Sequence, residues 1–265
     1  MNIASVNLIY FSPTGTSKKV VQAIGREIGG HHVKEFDLTP SVYPDLECKH
    51  FEDELTIIGV PVYKGRLPLD VLTRLKRIKT QNALVVVVAV YGNREFDDAL
   101  LELKDLSLEL GFTPIAAAAF IGEHSYSTDS KPLAKDRPDE ADISKVKQFA
   151  KEIAAKIQKI DNAIIEELTV PGNHPYKISP NAPVIAPTTL VENCSLCGVC
   201  SDVCPVGVIE VGKMVMTDAE ACIWCCACVK ACPEDARIFD DPIILDVRTK
   251  LASNCKIRKE PEFFI

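Results

Sequence analysis

Along the first two thirds of the chain, apolar residues fall into two rhythms. Five short runs, Val6 to Tyr10, His32 to Asp37, Leu55 to Val60, Ala83 to Val90 and Thr113 to Phe120, read as strands, and the apolar runs Ala83 to Val90 and Ile115 to Ile121 as buried ones. Near Ser17 to Ile28, Leu69 to Ile78, Glu95 to Leu110 and Glu140 to Ile160, apolar residues recur at spacings of three and four, which predicts amphipathic helices. Strands and helices mostly alternate, the arrangement that builds a parallel sheet covered on both faces. The expected architecture of this half is a doubly wound α/β fold with five parallel strands.

The rhythm ends near residue 168. Pro171, Pro175, Pro180, Pro183 and Pro187 fall within 17 residues, too densely for a helix or a central strand, so an extended linker is expected. Beyond it the chain repeats itself: Cys194, Cys197, Cys200, Cys204 and Pro205 recur 28 residues later as Cys222, Cys225, Cys228, Cys232 and Pro233. Five matches at one offset indicate a duplication. The organisation read from the chain is therefore 1–168 as the α/β domain, 169–187 as the linker, 188–240 as a smaller duplicated α+β domain and 241–265 as a tail.

Composition narrows the function. At 265 residues, 47% hydrophobic and 25% charged, the chain has the profile of an ordinary globular protein with room for two cores. A net charge of -7, spread over both halves, argues against nucleic acid as a partner. The longest apolar runs are far short of the roughly 18 residues of a membrane span, and Met1 to Tyr10 lacks the features of a secretory signal, so a cytoplasmic location is expected. Eleven cysteines in that setting point to metal or redox chemistry rather than to a disulfide framework.

The spacing C-x2-C-x2-C-x3-C-P, present twice, is that of a two-cluster 4Fe-4S protein. Three cysteines of each run hold one cube, and the fourth serves the other. One cluster is then expected on Cys194, Cys197, Cys200 and Cys232, the other on Cys222, Cys225, Cys228 and Cys204. A pair of zinc sites is the alternative, since CxxC pairs also hold zinc, but zinc has no use for the third cysteine and the trailing Cys-Pro. Cys226 stands outside this pattern and reads as a small buried or partly exposed thiol, and Cys48 and Cys255 read as packing or surface residues.

Directly after the first strand comes Phe11-Ser12-Pro13-Thr14-Gly15-Thr16-Ser17, opening a helix. Such a turn suits a phosphate, because unpaired N–H groups, hydroxyls and a flexible glycine converge there; a well-capped helix start is the plainer reading. Gly59-Val60-Pro61-Val62-Tyr63-Lys64-Gly65 ends the third strand, and Tyr91-Gly92-Asn93-Arg94 ends the fourth. Two tyrosines at adjacent strand ends can bracket a planar ring, where ligands of doubly wound sheets bind.

These segments, Ser-x-Thr-Gly-Thr-Ser, Pro-Val-Tyr-x-Gly-x-x-Pro and Tyr-Gly-Asn, resemble the FMN site of flavodoxins, and with the cysteine array the chain resembles the flavodoxin-ferredoxin fusion proteins, or ferrodoxins, of anaerobic bacteria and archaea. The resemblance spans residues 6 to 240. It implies a flavodoxin-like sheet joined to a two-4Fe-4S ferredoxin domain. It also implies FMN phosphate held by Ser12, Thr14, Gly15, Thr16 and Ser17, with the isoalloxazine near Pro61, Tyr63, Lys64, Gly65, Tyr91, Gly92 and Asn93. Gly65 is placed like the flavodoxin glycine whose peptide reorients near flavin N5.

The 18 residues from Ile121 to Pro138 lack a periodic pattern, which in a compact domain usually marks a functional loop; His124 and Tyr126 within it are the weak catalytic candidates. His31, His32, His50 and His174 have no ligand spacing and read as surface residues. Cubane clusters exchange single electrons and flavin exchanges one or two, so the leading expectation is an oxidoreductase that relays electrons between a low-potential donor of the ferredoxin type, the clusters and FMN. The alternatives are a non-catalytic carrier that reduces a partner metalloenzyme and a redox sensor. No GxGxxG follows a strand, so no NAD(P)H domain is expected. The expected partners are a redox protein, either ferredoxin or an acceptor enzyme, and a small-molecule substrate; a membrane is not expected. The linker is long enough for the cysteine domain to cover the flavin crevice of its own chain or of a second copy in a homodimer.

Overall fold

The computed structural model describes all residues except 1–4, 30–31, 44–45, 47–50, 52–53, 161–164 and 179–182. Cys48, His31, His50 and Pro180 lie outside the described residues. The α/β half runs β1 (Val6–Tyr10), α1 (Thr16–Gly29), β2 (Val33–Asp37), β3 (Leu55–Pro61), α2 (Leu69–Leu75), β4 (Ala83–Tyr91), α3 (Ala99–Glu109), β5 (Phe112–Ile121) and α4 (Glu140–Lys159). The strands pair in parallel in the order β2-β1-β3-β4-β5, the flavodoxin-like order of doubly wound sheets.

Burial on both faces explains why the central strands read as unbroken apolar runs. Along β4, Val85, Val87, Ala89 and Tyr91 join the core under α2 and α3, while Leu84, Val86, Val88 and Val90 join the core under α1 and α4. Helix α4 starts on a capping box in which Asp139 accepts from the Asp142 N–H and Asp142 answers the Asp139 N–H. Asp142 is fully buried and also pairs with Arg137, fixing the end of the long loop after β5 to the helix that follows.

Two segments differ from expectation. The linker is laid down on α3: Leu168 and Val170 enter the core, the Asn173 and Lys177 N–H groups donate to Asp98 at 2.9 and 2.6 Å, and the Tyr176 hydroxyl donates to Asp105 at 2.6 Å. The segment 241–265, expected as a tail, carries helix α7 (Pro242–Asn254) and strand β10 (Glu262–Phe264). Asp241 caps α7 by accepting from the Ile243 N–H, with Pro242 at its first turn. Strand β10 pairs antiparallel with β5 and gives the sheet a sixth strand. Phe263 stacks on Phe149, centroids 4.8 Å apart, and covers the edge that β5 would otherwise leave open.

Between linker and α7 lies a small α+β unit in which every element is short. It contains β6 (Thr188–Thr189), α5 (Val199–Asp202), β7 (Ile209–Val211), β8 (Val215–Thr217), α6 (Ala227–Lys230) and β9 (Arg237–Ile238), with β6 paired to β9 and β7 to β8. Its backbone repeats as its cysteines do: Leu196 and Trp224, Gly198 and Cys226, Gly207 and Asp235 are each 28 residues apart, and all six have positive φ. Cys226 therefore belongs to the repeat in its backbone, as the counterpart of Gly198, although it stands outside the cysteine spacing. Among the described residues, no helix is long and apolar enough to cross a membrane.

Candidate functional site

A cavity of about 370 Å³ opens at the carboxyl ends of the parallel strands, on either side of the point where the strand order reverses between β1 and β3. Its floor is the loop after β1, with Ser12, Thr14, Thr16 and Ser17, and the loop after β3, with Pro61, Tyr63 and Lys64. Tyr91, Gly92 and the segment Gly122–Tyr126 form the far wall. The roof comes from elsewhere in the chain: Ile223 and Trp224 of the cysteine unit, and Ile244, Val247 and Leu251 from one stripe of α7.

The first loop has the attributes of an anion cradle. Gly15 takes φ +83° with open space where a side chain would stand, so a ligand can approach the backbone. The Ser12 hydroxyl accepts from the Lys18 N–H at 3.0 Å, while the Ser17 hydroxyl is buried with no hydrogen-bond partner, a donor waiting for one. These features fit the phosphate end of FMN.

Three of the expected flavin contacts are placed differently. Asn93 is spent on the C-terminal segment: its amide N–H groups donate to the carbonyls of Cys255 and Ile257 at 2.8 and 2.9 Å, and its oxygen accepts from the Lys259 N–H at 3.1 Å. Both amide donors are thus held by the C-terminal segment, and Asn93 is absent from the cavity lining. Gly65, at φ +84°, lies under the Asp97 carboxylate and is also absent from the lining. Tyr91 borders the cavity, yet its ring packs against Phe96 in the core and its hydroxyl is buried without a partner.

His124 and Tyr126 both line the cavity. The His124 ring lies against Gly92, where a Cβ would meet it at 2.3 Å, and its Nδ1 accepts from the Tyr126 N–H at 3.0 Å. That bond leaves the proton of the neutral ring on Nε2. Burial pushes the His124 pKa down to about 4, aided by the cations Arg94, Lys230 and Arg248, so the ring is neutral near pH 7. Burial likewise pushes the Tyr126 hydroxyl well above its ordinary value.

The cysteines gather into the two sets that crossed spacing predicts. Cys194, Cys197, Cys200 and Cys232 line one small cavity; Cys204, Cys222, Cys225 and Cys228 line another, together with Cys226. All ten described cysteines are free thiols. Among the described residues no three His, Cys, Asp or Glu side chains are grouped as ligands of a single metal ion.

Ile223 lines both the second cysteine cavity and the large one at the strand ends. Direct contacts hold the two units there. The Lys64 ammonium sits 4.7 Å from the Trp224 ring centroid, Lys230 Nζ bonds Glu123 at 2.9 Å and the Ser127 carbonyl at 3.0 Å, and Arg248 donates to the carbonyls of Tyr126 and Phe239. Behind the sheet end, Arg74 donates to the Pro205 carbonyl at 2.5 Å.

Residues 188–210 match the family model of the 4Fe-4S binding domain. None of the curated proteins matches the chain at a significant level. Among solved structures, the chain is similar to a flavodoxin of Streptococcus pneumoniae TIGR4, at 19% identity and TM-score 0.42, covering 58% of this chain and 99% of that one. Flavodoxin 2 of Bacillus cereus gives 19% identity and TM-score 0.43 over the same shares of each chain. Rubredoxin oxygen:oxidoreductase of Desulfovibrio gigas gives 18% and 0.41, over 59% of this chain and 36% of that one. The fold assignment itself stands on the strand order. The chain thus joins a doubly wound α/β unit of flavodoxin-like strand order to a cysteine unit whose residues 188–210 match the 4Fe-4S binding domain.

Proposed function

We propose that this chain is an electron-relay oxidoreductase that binds FMN in the strand-end cavity and a 4Fe-4S cluster in each cysteine cavity. Residues 1–168 and 188–240 act as the two cofactor-binding units. The observation that carries this reading is the shared wall at Ile223: the second cysteine set and the flavin cavity adjoin within one chain. Bound there, cubanes supply single-electron exchange and flavin supplies exchange of one or two.

The exposure of the cysteines supports one direction of flow. Cys197 of the first set is exposed, whereas in the second set Cys204, Cys225 and Cys228 are buried and Cys222 is half-buried, which favours a donor protein of the ferredoxin type meeting the first set. Ser12, Thr14, Thr16 and Ser17 hold the phosphate, and Pro61, Tyr63, Lys64 and Gly92 border the ring system. A cavity of about 370 Å³ lies near the lower end of ligand pockets, roughly 300–1,000 Å³, so FMN itself occupies most of it. The roof of Trp224 and α7 covers the edge that a plain carrier would offer to a partner, which favours the relay over the carrier.

Anaerobic analysis of iron, acid-labile sulfide and flavin tests the cofactor content, with eight irons and one FMN per chain expected. Cys204→Ser or Cys222→Ser should then slow flavin reduction by reduced ferredoxin in stopped-flow absorbance, while reduction by a small chemical reductant persists. Full-rate reduction by ferredoxin in protein lacking the second cluster would show that electrons bypass it.

A further inference from the structure

Arg237 is 3% exposed in the middle of the cysteine unit, and the 28-residue repeat pairs it with Ile209, itself 5% exposed. One half of the duplication buries a hydrocarbon where the other buries a guanidinium. A buried cation is costly unless an anion or a full set of acceptors meets it. The protein supplies only neutral partners: Nη1 donates to Thr189 Oγ1 at 2.6 Å, and Nη2 to Thr217 Oγ1 at 2.9 Å. Nε is buried with no acceptor, and among the described residues no carboxylate pairs with this side chain.

What Arg237 does face is sulfur, on both sides. It lines the cavity of Cys194, Cys197, Cys200 and Cys232, and its Nη2 approaches Cys228 Sγ of the other set at 3.8 Å. Its anchorage is local and rigid, since Arg237 opens β9 and Thr189, which takes Nη1, lies directly across in β6. A cube with four thiolates is anionic, and an added electron makes it more so. A fixed cation in a low-dielectric interior favours that added charge, as do hydrogen bonds to the sulfurs.

We propose that Arg237 is the shared counter-cation of the two cluster sites, raising the reduction potential of both clusters so that they accept electrons from the donor. This rests on the two-cluster reading, so iron and sulfide counts on the unaltered protein come first; a count below two cubanes would sink that reading and the shared role with it, whereas two loaded cubanes with unmoved midpoints would sink the role of Arg237 alone.

The test is potentiometric EPR on the full chain with Arg237→Ile, the residue of the other repeat, Arg237→Gln and Arg237→Lys. Both cluster midpoints should fall in the isoleucine and glutamine variants. The expected fall is at least the roughly 59 mV that a tenfold change in the reduced-to-oxidised ratio represents for one electron. The lysine variant should stay nearer the original. Loaded clusters with unchanged midpoints in either neutral variant would overturn the proposal. If the neutral variants fail to hold clusters, lysine decides: loading in Arg237→Lys alone shows that the charge is what the sites require, and failure of lysine as well shows that guanidinium shape is needed and the proposal is wrong.

Discussion

The ring of Tyr91 packs against Phe96, centroids 5.5 Å apart and planes inclined at 59°, on the core side of the sheet. Tyr91 ends β4 in the register of Val85, Val87 and Ala89, all of which point under α2 and α3, so strand alternation commits its side chain to that face. Tyr63 follows β3 in a turn closed by paired Tyr63 and Arg66 backbone bonds, and it stays half-buried at the cavity wall.

The two tyrosines should therefore separate on mutation. Tyr63→Ala is expected to weaken FMN binding about tenfold, the scale of one lost aromatic contact, with little change in unfolding. Tyr91→Phe removes only a hydroxyl with no partner and should leave stability level or slightly raised. Tyr91→Ala opens the core and should cost about 3 kcal/mol or more. Flavin titration and urea unfolding measure both quantities; loss of FMN affinity in Tyr91→Phe at unchanged stability would place that hydroxyl on the cofactor.

The sheet and the cysteine sets were legible because each rests on a local pattern. Uninterrupted valine runs require two covered faces, and the repeated C-x2-C-x2-C spacing sets three thiols on one short loop. What escaped was non-local. Strand β10 is three residues long and takes its conformation from the open edge of β5, so no periodicity announces it. Helix α7 does carry a start signal in Asp241-Pro242, but Ile243, Ile244 and Leu245 in succession blur its apolar stripe. The partners of Asn93 are non-local in the same way: its amide meets backbone groups more than 160 residues later in the chain.

Stability should depend on pH through His124. Its native pKa lies at about 4, below the ordinary 6.5, because burial and neighbouring Arg94, Lys230 and Arg248 oppose a charge. The unfolded chain thus takes up a proton as pH falls through 6.5 while the native state does not, so stability is full above 6.5 and is lost progressively toward 4. The whole window corresponds to up to about 3 kcal/mol, of which about 1 kcal/mol falls between pH 7 and 5.5. Thermal unfolding under anaerobic conditions should show this slope, and His124→Gln, which does not titrate, should flatten it. A slope unchanged in the glutamine variant would assign the dependence to another group.

The roof of the cavity should control how fast FMN leaves. Ile244, Val247 and Leu251 recur at intervals of three and four along α7 and face the cavity on one stripe, while Trp224 closes the adjoining side. Trp224 is held from two directions, by its Nε1 donating to the Ile185 carbonyl at 2.8 Å and by the Lys64 ammonium over its ring. Val247→Asp puts a carboxylate on that stripe, where its desolvation opposes closure of the helix over the flavin. Trp224→Ala removes one hydrogen bond and one cation–π contact, together about 1–2 kcal/mol, and should loosen the same roof from the cysteine side. Each substitution is expected to speed FMN release about tenfold, read as recovery of free-flavin fluorescence after dilution. Far-UV circular dichroism should stay unchanged, since the sheet beneath is formed by other residues. If release is equally slow in both variants, α7 and Trp224 only rest on a cavity whose floor already holds the cofactor, and closure by the roof plays no part in retaining it.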